Sequence, residues 1–392
     1  MIKRIILLVA SPFDSRDYER FGVEILKRDG FAVEVWDVSR ISRSRVHTDG
    51  TVPKVHVCRE LTVLCEKKEA FLRISGLDDS NFVINFGSYD INSFWLYKAL
   101  TKARAQYAVH MSGMLPILGP EQTMFVAHWE KLKKIFPPSF KHVCNVLFSR
   151  LPPKWFGIKP AKLILAGGEK CFVYHFPVDR DKSTETLWTH AMDYDLYLTE
   201  RTRPFSKPVH PIAVFLDEYL PMHPDRLYDG VKRLLTPEEY YSMLDRFFRR
   251  VEHELKLEVV IAASPRSDYE NGPDYFKGRK CIKGKTSALV RESRLVMAHD
   301  SSSLTFANLF RKPVIFLTSK SLSRTNPPIR RLAGWFGKEP IFMDSDETID
   351  WEFEMSVSDR NYDEYKSSFI KAEHSRDVPF WQIVADRLKK GV

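Results

Sequence analysis

The chain has 392 residues, 44% hydrophobic and 28% charged, with a formal net charge of +9. That length exceeds one ordinary core and that composition is globular, which predicts two domains and excludes a disordered chain. No run of eighteen apolar residues lacks a charge, which excludes a membrane-spanning helix. Five scattered cysteines without a CxxC pair support neither a disulfide framework nor a zinc site, and a reducing cytoplasm is the expected compartment.

In chain order, Ile5 to Ala10 predicts a buried strand. The apolar run is too short for a signal peptide and leads into Ser11-Pro12-Phe13-Asp14. Asp17 to Asp29 reads as a helix ended by Gly30, and Phe31 to Val38 as the next strand. Lys54 to Val57 is extended, and Glu60 to Ala70 is expected to be helical. Asn81 to Phe86 is a strand followed by Gly87-Ser88-Tyr89-Asp90; a helix follows from Asn92 to Ala103, and then a strand from Gln106 to His110. Between His128 and Lys170 lie nine lysines or arginines opposed only by Glu130 and Glu169, interleaved with Trp129, Phe136, Phe140, Phe148, Trp155 and Phe156. Cations among aromatic rings suit an anionic membrane face. The other reading is inward-packed rings with solvated lysines. Nucleic acid is ranked below both, because no RNA-binding signature accompanies the patch. Arg330 to Lys338 repeats the composition. Leu163 to Ala166 and Ala191 to Leu198 read as the last strands of this half, with Asp193-Tyr194-Asp195 a structural part of the second.

Pro204 to Pro211 holds three prolines and is the expected linker. Beyond it, Pro211 to Leu216 is a strand ending in Asp217-Glu218. Thr236-Pro237-Glu238-Glu239 opens a helix to about Leu255, with Thr236 as N-cap and Glu239 closing the box. Leu257 to Ala263 is a strand ending in Ser264-Pro265-Arg266. Arg279 to Ser287 lacks the spacing of a phosphate-binding P-loop and reads as a basic loop. Val296 to Ala298 is a strand, followed by His299-Asp300-Ser301-Ser302-Ser303, a helix of two to three turns and a strand at Val314 to Phe316. Three serines at a helix start either cap it or hold a phosphate. Val378 to Lys390 is the last helix.

The order of these segments, Asp217-Glu218, then Ser264-Pro265-Arg266, then the serine turn, resembles the donor half of GT-B-fold bacterial glycosyltransferases that build capsule, lipopolysaccharide and other surface carbohydrates. Those enzymes often carry His-Pro where this chain has Ser264-Pro265. The resemblance implies an α/β, GT-B-like architecture: two Rossmann-like, doubly wound parallel-sheet domains facing a central cleft. Its expected divisions are residues 1–204, 205–375 and a last helix, 376–392, crossing back to the first domain. It also implies inverting, metal-independent transfer of a sugar from a nucleotide-activated donor to a surface polysaccharide or glycolipid acceptor. The donor is CMP-linked or NDP-linked and is a substrate rather than a cofactor. A cytoplasmic enzyme at the inner face of an anionic membrane, without nucleic acid, is expected.

Donor contacts are expected from Asp217, Glu218, Ser264, Arg266, His299, Ser301, Ser302 and Ser303. Asp217-Glu218 are alternatively turn formers. The base that deprotonates the acceptor hydroxyl is sought at strand ends of the first half, at Asp14, Asp90 or His110. Each has a structural alternative: a helix cap for Asp14, a turn for Asp90, a satisfied histidine for His110. Other readings are a polyol-phosphate transferase of the teichoic-acid type and a non-catalytic membrane-associated binding protein. An epimerase shares the two-domain layout, but no histidine and carboxylate set of that family is recognisable.

Overall fold

Buried aliphatic strands organise the chain into two parallel sheets in the computed structural model, which describes residues 1–42, 56–113, 115–116, 148, 151–171, 181–204, 209–223, 235–325 and 328–391. The chain divides into two compact units, the first drawn from Met1–Met114, Lys134–Met192 and Lys371–Val392, the second from Leu115–Lys133 and Asp193–Ile370.

The first unit has seven strands: β1 (Arg4–Val9), β2 (Ala32–Asp37), β3 (Leu61–Val63), β4 (Asn81–Asn85), β5 (Gln106–Met111), β6 (Leu163–Ala166) and β7 (Glu185–Trp188). They lie in the order β3-β2-β1-β4-β5-β6-β7, all paired parallel. Side chains alternate across β1. Ile5, Leu7 and Val9 join Phe13, Val23, Leu26 and Trp381 on one face. Ile6 and Leu8 join Ala70, Ile74, Leu96 and Leu100 on the other.

The second unit has β8 (Ile212–Leu216), β9 (Glu258–Ala263), β10 (Cys281–Lys283), β11 (Leu295–Ala298), β12 (Val314–Thr318) and β13 (Ile341–Phe342), in the order β10-β9-β8-β11-β12-β13. Helix Pro237–Leu255 buries Leu244, Phe247, Phe248 and Val251 against Phe215 and Ile261, and its start forms the expected capping box between Thr236 and Glu239. In both sheets the chain winds outward from its first strand, then returns and proceeds the other way. That reversal leaves a switch point at the carboxyl ends of β1 and β4, and another at β8 and β11, where loops diverge and a ligand can enter.

Several elements differ from the sequence reading. The helix expected over 17–29 is two short ones, Ser15–Arg20 and Val23–Arg28, hinged at Gly22 with φ +59°. The cause is the last helix, Phe380–Lys389, which belongs to the first unit and seats Trp381 against the hinge. A Cβ on Gly22 would stand 2.2 Å from the Trp381 ring. The helix expected over 60–70 is instead strand β3 and then helix Lys67–Ser75, because the Val35 N–H takes the Glu60 carbonyl and draws the segment onto the sheet. The strand expected over 191–198 is helix Asp193–Thr202. The edge strand is β7, whose half-buried residues give a weak signal. Asp193 and Asp195 therefore occupy a helical first turn, where carboxylates favour the positive end of the dipole, rather than one face of a strand.

Of the extended segment expected at 54–57, residues 54 and 55 lie outside the described residues, as do 128–147, 149 and 150 of the basic-aromatic excursion. Its described rings divide: Phe148 and Phe156 pack on the first core, while Trp155 is 69% exposed. Among the described residues, no helix is long and apolar enough to cross a membrane.

Candidate functional site

The second unit's switch point is built by strand ends that the sheet makes neighbours. Leu216 pairs with both Ala262 and Ala298, so the residues following β8, β9 and β11 emerge side by side. Asp217 is buried there. Its Oδ1 accepts the Tyr219 N–H at 3.0 Å and its Oδ2 the Ser264 N–H at 3.2 Å. Burial raises its carboxyl above the usual range against these donors. Asp217 thus brackets β8 to β9, and its oxygens are committed inside the fold.

Glu218 faces the other neighbour. Its Oε1 accepts the Asp300 N–H at 2.9 Å. Burial, then the Asp300 carboxylate, push its carboxyl well above the ordinary value. Ser264 is also buried. Its Oγ accepts the Arg266 N–H at 3.4 Å and its carbonyl the Ser267 hydroxyl at 2.7 Å. This tight turn leaves Arg266 exposed at its tip. Lys283, at the end of β10, donates to the Ser267 carbonyl at 2.6 Å and steadies the same turn. Arg279 is paired with Asp245 and Glu252 at 2.7 and 2.6 Å.

His299, also expected at the donor, has both ring nitrogens engaged within the fold. It is buried, with Nδ1 at 2.6 Å from the Leu317 carbonyl and Nε2 at 2.8 Å from the Tyr240 hydroxyl. A carbonyl only accepts, so Nδ1 carries the proton and Nε2 accepts from Tyr240. Both nitrogens thus serve to fasten β11 to β12 and to helix Pro237–Leu255. The serine turn remains. Ser302 is exposed, Ser301 and Ser303 are half-buried, and the Ser303 N–H reaches the Ser301 Oγ at 3.3 Å. The helix after it is only Leu304–Leu309, shorter than expected, and no side chain caps it.

In the first unit, Asp14 and Asp90 follow β1 and β4, and His110 lies in β5. Asp14 caps helix Ser15–Arg20, its Oδ1 accepting the Asp17 N–H at 2.8 Å. Asp90 Oδ1 accepts the Asn92 and Ser93 N–H groups at 2.8 and 2.9 Å, and its Oδ2 the Ser88 hydroxyl at 2.9 Å. Both side chains are thus engaged in local turn and cap contacts. His110 sits among the rings of Phe86 and Phe380, with Nε2 2.5 Å from Ser112 Oγ. Burial, then Arg20, hold its pKa down at about 3, a weak base.

The carboxylate suited to accepting a proton near neutrality is one the sequence reading passed over. Asp17 is pushed up to about 6, first by burial and then by the Asp14 charge. The signal available was the spacing: Asp14 and Asp17 stand three apart at a helix start, which stacks them on one turn.

No protein-family model matches the chain, and no curated protein matches it. Among solved structures, a Listeria monocytogenes protein described as a UDP-N-acetylglucosamine 2-epimerase aligns at 11% identity, covering 99% of this chain and 95% of its own, with TM-score 0.50. A second UDP-N-acetylglucosamine 2-epimerase aligns at 13% identity over 99% and 96%, also at 0.50. The fold is GT-B-like. At such identity the likeness speaks for architecture alone, carried over essentially the whole length of both chains.

Proposed function

We propose that this chain uses a nucleotide-activated sugar and transfers it, with inversion and without a metal ion, to a surface polysaccharide or glycolipid. The observation that carries the proposal is the convergence of the strand ends that bear Glu218, Arg266 and the Ser301–Ser303 turn at the second unit's switch point. Displacing a sugar from a nucleotide leaves negative charge on a phosphate, which must be met by donors already in place. Arg266 offers a guanidinium fork, the serine turn offers hydroxyls and backbone N–H groups, and Glu218 holds the start of that turn through the Asp300 N–H. Asp217, Ser264 and His299 act one layer back, fixing the strand ends that carry these groups. Among the acidic groups of the first unit, Asp17 has the titration suited to taking the acceptor's proton near neutrality.

A second reading, epimerisation of the donor sugar, is favoured by the two full-length structural likenesses, both to proteins described as UDP-N-acetylglucosamine 2-epimerases. Incubation with UDP-N-acetylglucosamine, followed by NMR, distinguishes the two. Epimerisation yields the 2-epimer of the nucleotide sugar without any acceptor. Transfer yields free nucleotide that depends on an added glycan or glycolipid. Neither product with this or other nucleotide sugars, despite nucleotide binding, would leave a binding protein on the same fold.

A further inference from the structure

One face of the first unit's sheet is closed by helices Lys67–Ser75 and Phe94–Lys102 and by the short 3-10 turn Pro153–Phe156. Their inner residues, Ala70, Ile74, Leu96 and Leu100, fill the core. Their outer side keeps large apolar groups in solvent: Leu72 is 65% exposed and Trp155 69%, with Phe71 also exposed, as are Ile91 and Leu151 in the segments leading into them. The aromatic groups connect into one band. Phe71 meets Trp95 at 5.7 Å, Phe94 meets Phe156 at 5.5 Å, and positions 94 and 95 are consecutive on one helix.

Cations are set into this band. Lys67 Nζ lies 5.8 Å from the Trp95 ring and Lys98 Nζ 5.9 Å from the Phe94 ring, while Lys68, Lys102, Lys154 and Lys159 are exposed around them. The neighbouring Glu69 is engaged by Arg73 at 3.5 Å. We propose that this face docks on an anionic lipid bilayer, with Trp155 and Leu72 entering the headgroup boundary and the lysines meeting lipid phosphate. Exposed aliphatic groups favour hydrocarbon, and each nearby cation adds attraction to an anionic leaflet. A single-stranded nucleic acid suits the same charges less well. Base stacking needs open ring faces, and here Lys67 and Lys98 lie over the Trp95 and Phe94 rings. The inference rests on the lipid-linked acceptor of the proposed function, and it extends the expected membrane contact from the 128–170 excursion, through Pro153–Phe156, to two helices of the first unit.

The test is co-sedimentation of the full chain with phosphatidylcholine vesicles, with and without phosphatidylglycerol, at low and high salt. Two variants are compared with the parent: Leu72→Ser with Trp155→Ser, and Lys68→Glu with Lys154→Glu. All four side chains are exposed, so unchanged melting curves are expected. The parent should sediment with the anionic vesicles and be released by salt, and each double variant should bind roughly ten- to thirty-fold more weakly. The proposal is overturned by absence of binding at low salt, by binding that both variants retain, or by variants that lose single-stranded RNA but keep vesicles. Nucleotide affinity measured on the same preparations separates failure of this surface from failure of the proposed function.

Discussion

Glu218 accepts the backbone N–H of Asp300 at 2.9 Å, fastening the end of β8 to the end of β11 where the second sheet reverses its winding. Burial, and after it the charge of Asp300, raise the Glu218 carboxyl well above its ordinary value. The contact thus joins a raised carboxyl to the switch point of a doubly wound sheet.

This arrangement has a pH signature. The folded pKa of Glu218 lies above its unfolded value, so the folded state binds the extra proton and stability declines as pH rises beyond about 4.5. Glu218→Gln keeps the shape and a donor but removes the titration. It should match the parent near pH 4 and exceed it in the alkaline range by roughly 1–3 kcal/mol, as read by urea unfolding across pH. A variant less stable than the parent at alkaline pH would show that Glu218 is ionised in the fold.

Asp17 makes a parallel prediction in the first unit. Its folded pKa of about 6 exceeds the ordinary 3.8, so stability is lost as pH climbs from about 4 to about 6 and stays lower above that window. Asp17→Asn should therefore be at least as stable as the parent at pH 7. If Asp17 takes the acceptor proton, the same variant loses roughly a hundredfold or more in transfer rate, and the acid limb near pH 6 disappears from the parent's rate profile. A stable variant with full activity would assign the base elsewhere.

What was legible in the sequence was what local chemistry determines. Thr236, Pro237 and Glu239 specify a helix start within four residues, and the aliphatic runs at β8, β9 and β11 are long enough to read as buried strands. What was not legible depends on partners distant in sequence. His299 looked available because Tyr240, 59 positions earlier, cannot be seen from its own segment. Leu61 to Val63 passed for helix because only β2 makes them a strand. Asp17 looked like an ordinary first-turn acid, since its burial comes from how the chain packs around it.

The hinge at Gly22 gives a packing test. Trp381 donates its indole N–H to the Arg20 carbonyl at 2.7 Å and occupies the space a side chain at 22 would need. Gly22→Ala meets both a positive φ and a steric clash, and should destabilise by about 3 kcal/mol or more. Trp381→Ala should cost about 3–5 kcal/mol through the cavity it leaves in the first core. Thermal unfolding checks both, and a Gly22→Ala variant as stable as the parent would contradict the close seating of the last helix.

The central claim is that the second unit's switch point binds the nucleotide. Isothermal titration with UDP, GDP and CMP, on the parent and on Ser302→Ala with Ser303→Ala, tests it most directly. At least one nucleotide should bind, a uridine or guanosine diphosphate pointing to an ordinary hexose donor and CMP to a CMP-linked sugar. The double variant should lose roughly 1–3 kcal/mol of that affinity while melting as the parent does, because neither serine side chain caps the helix that follows. Binding by no nucleotide, or binding that the double variant leaves unchanged, would contradict the account.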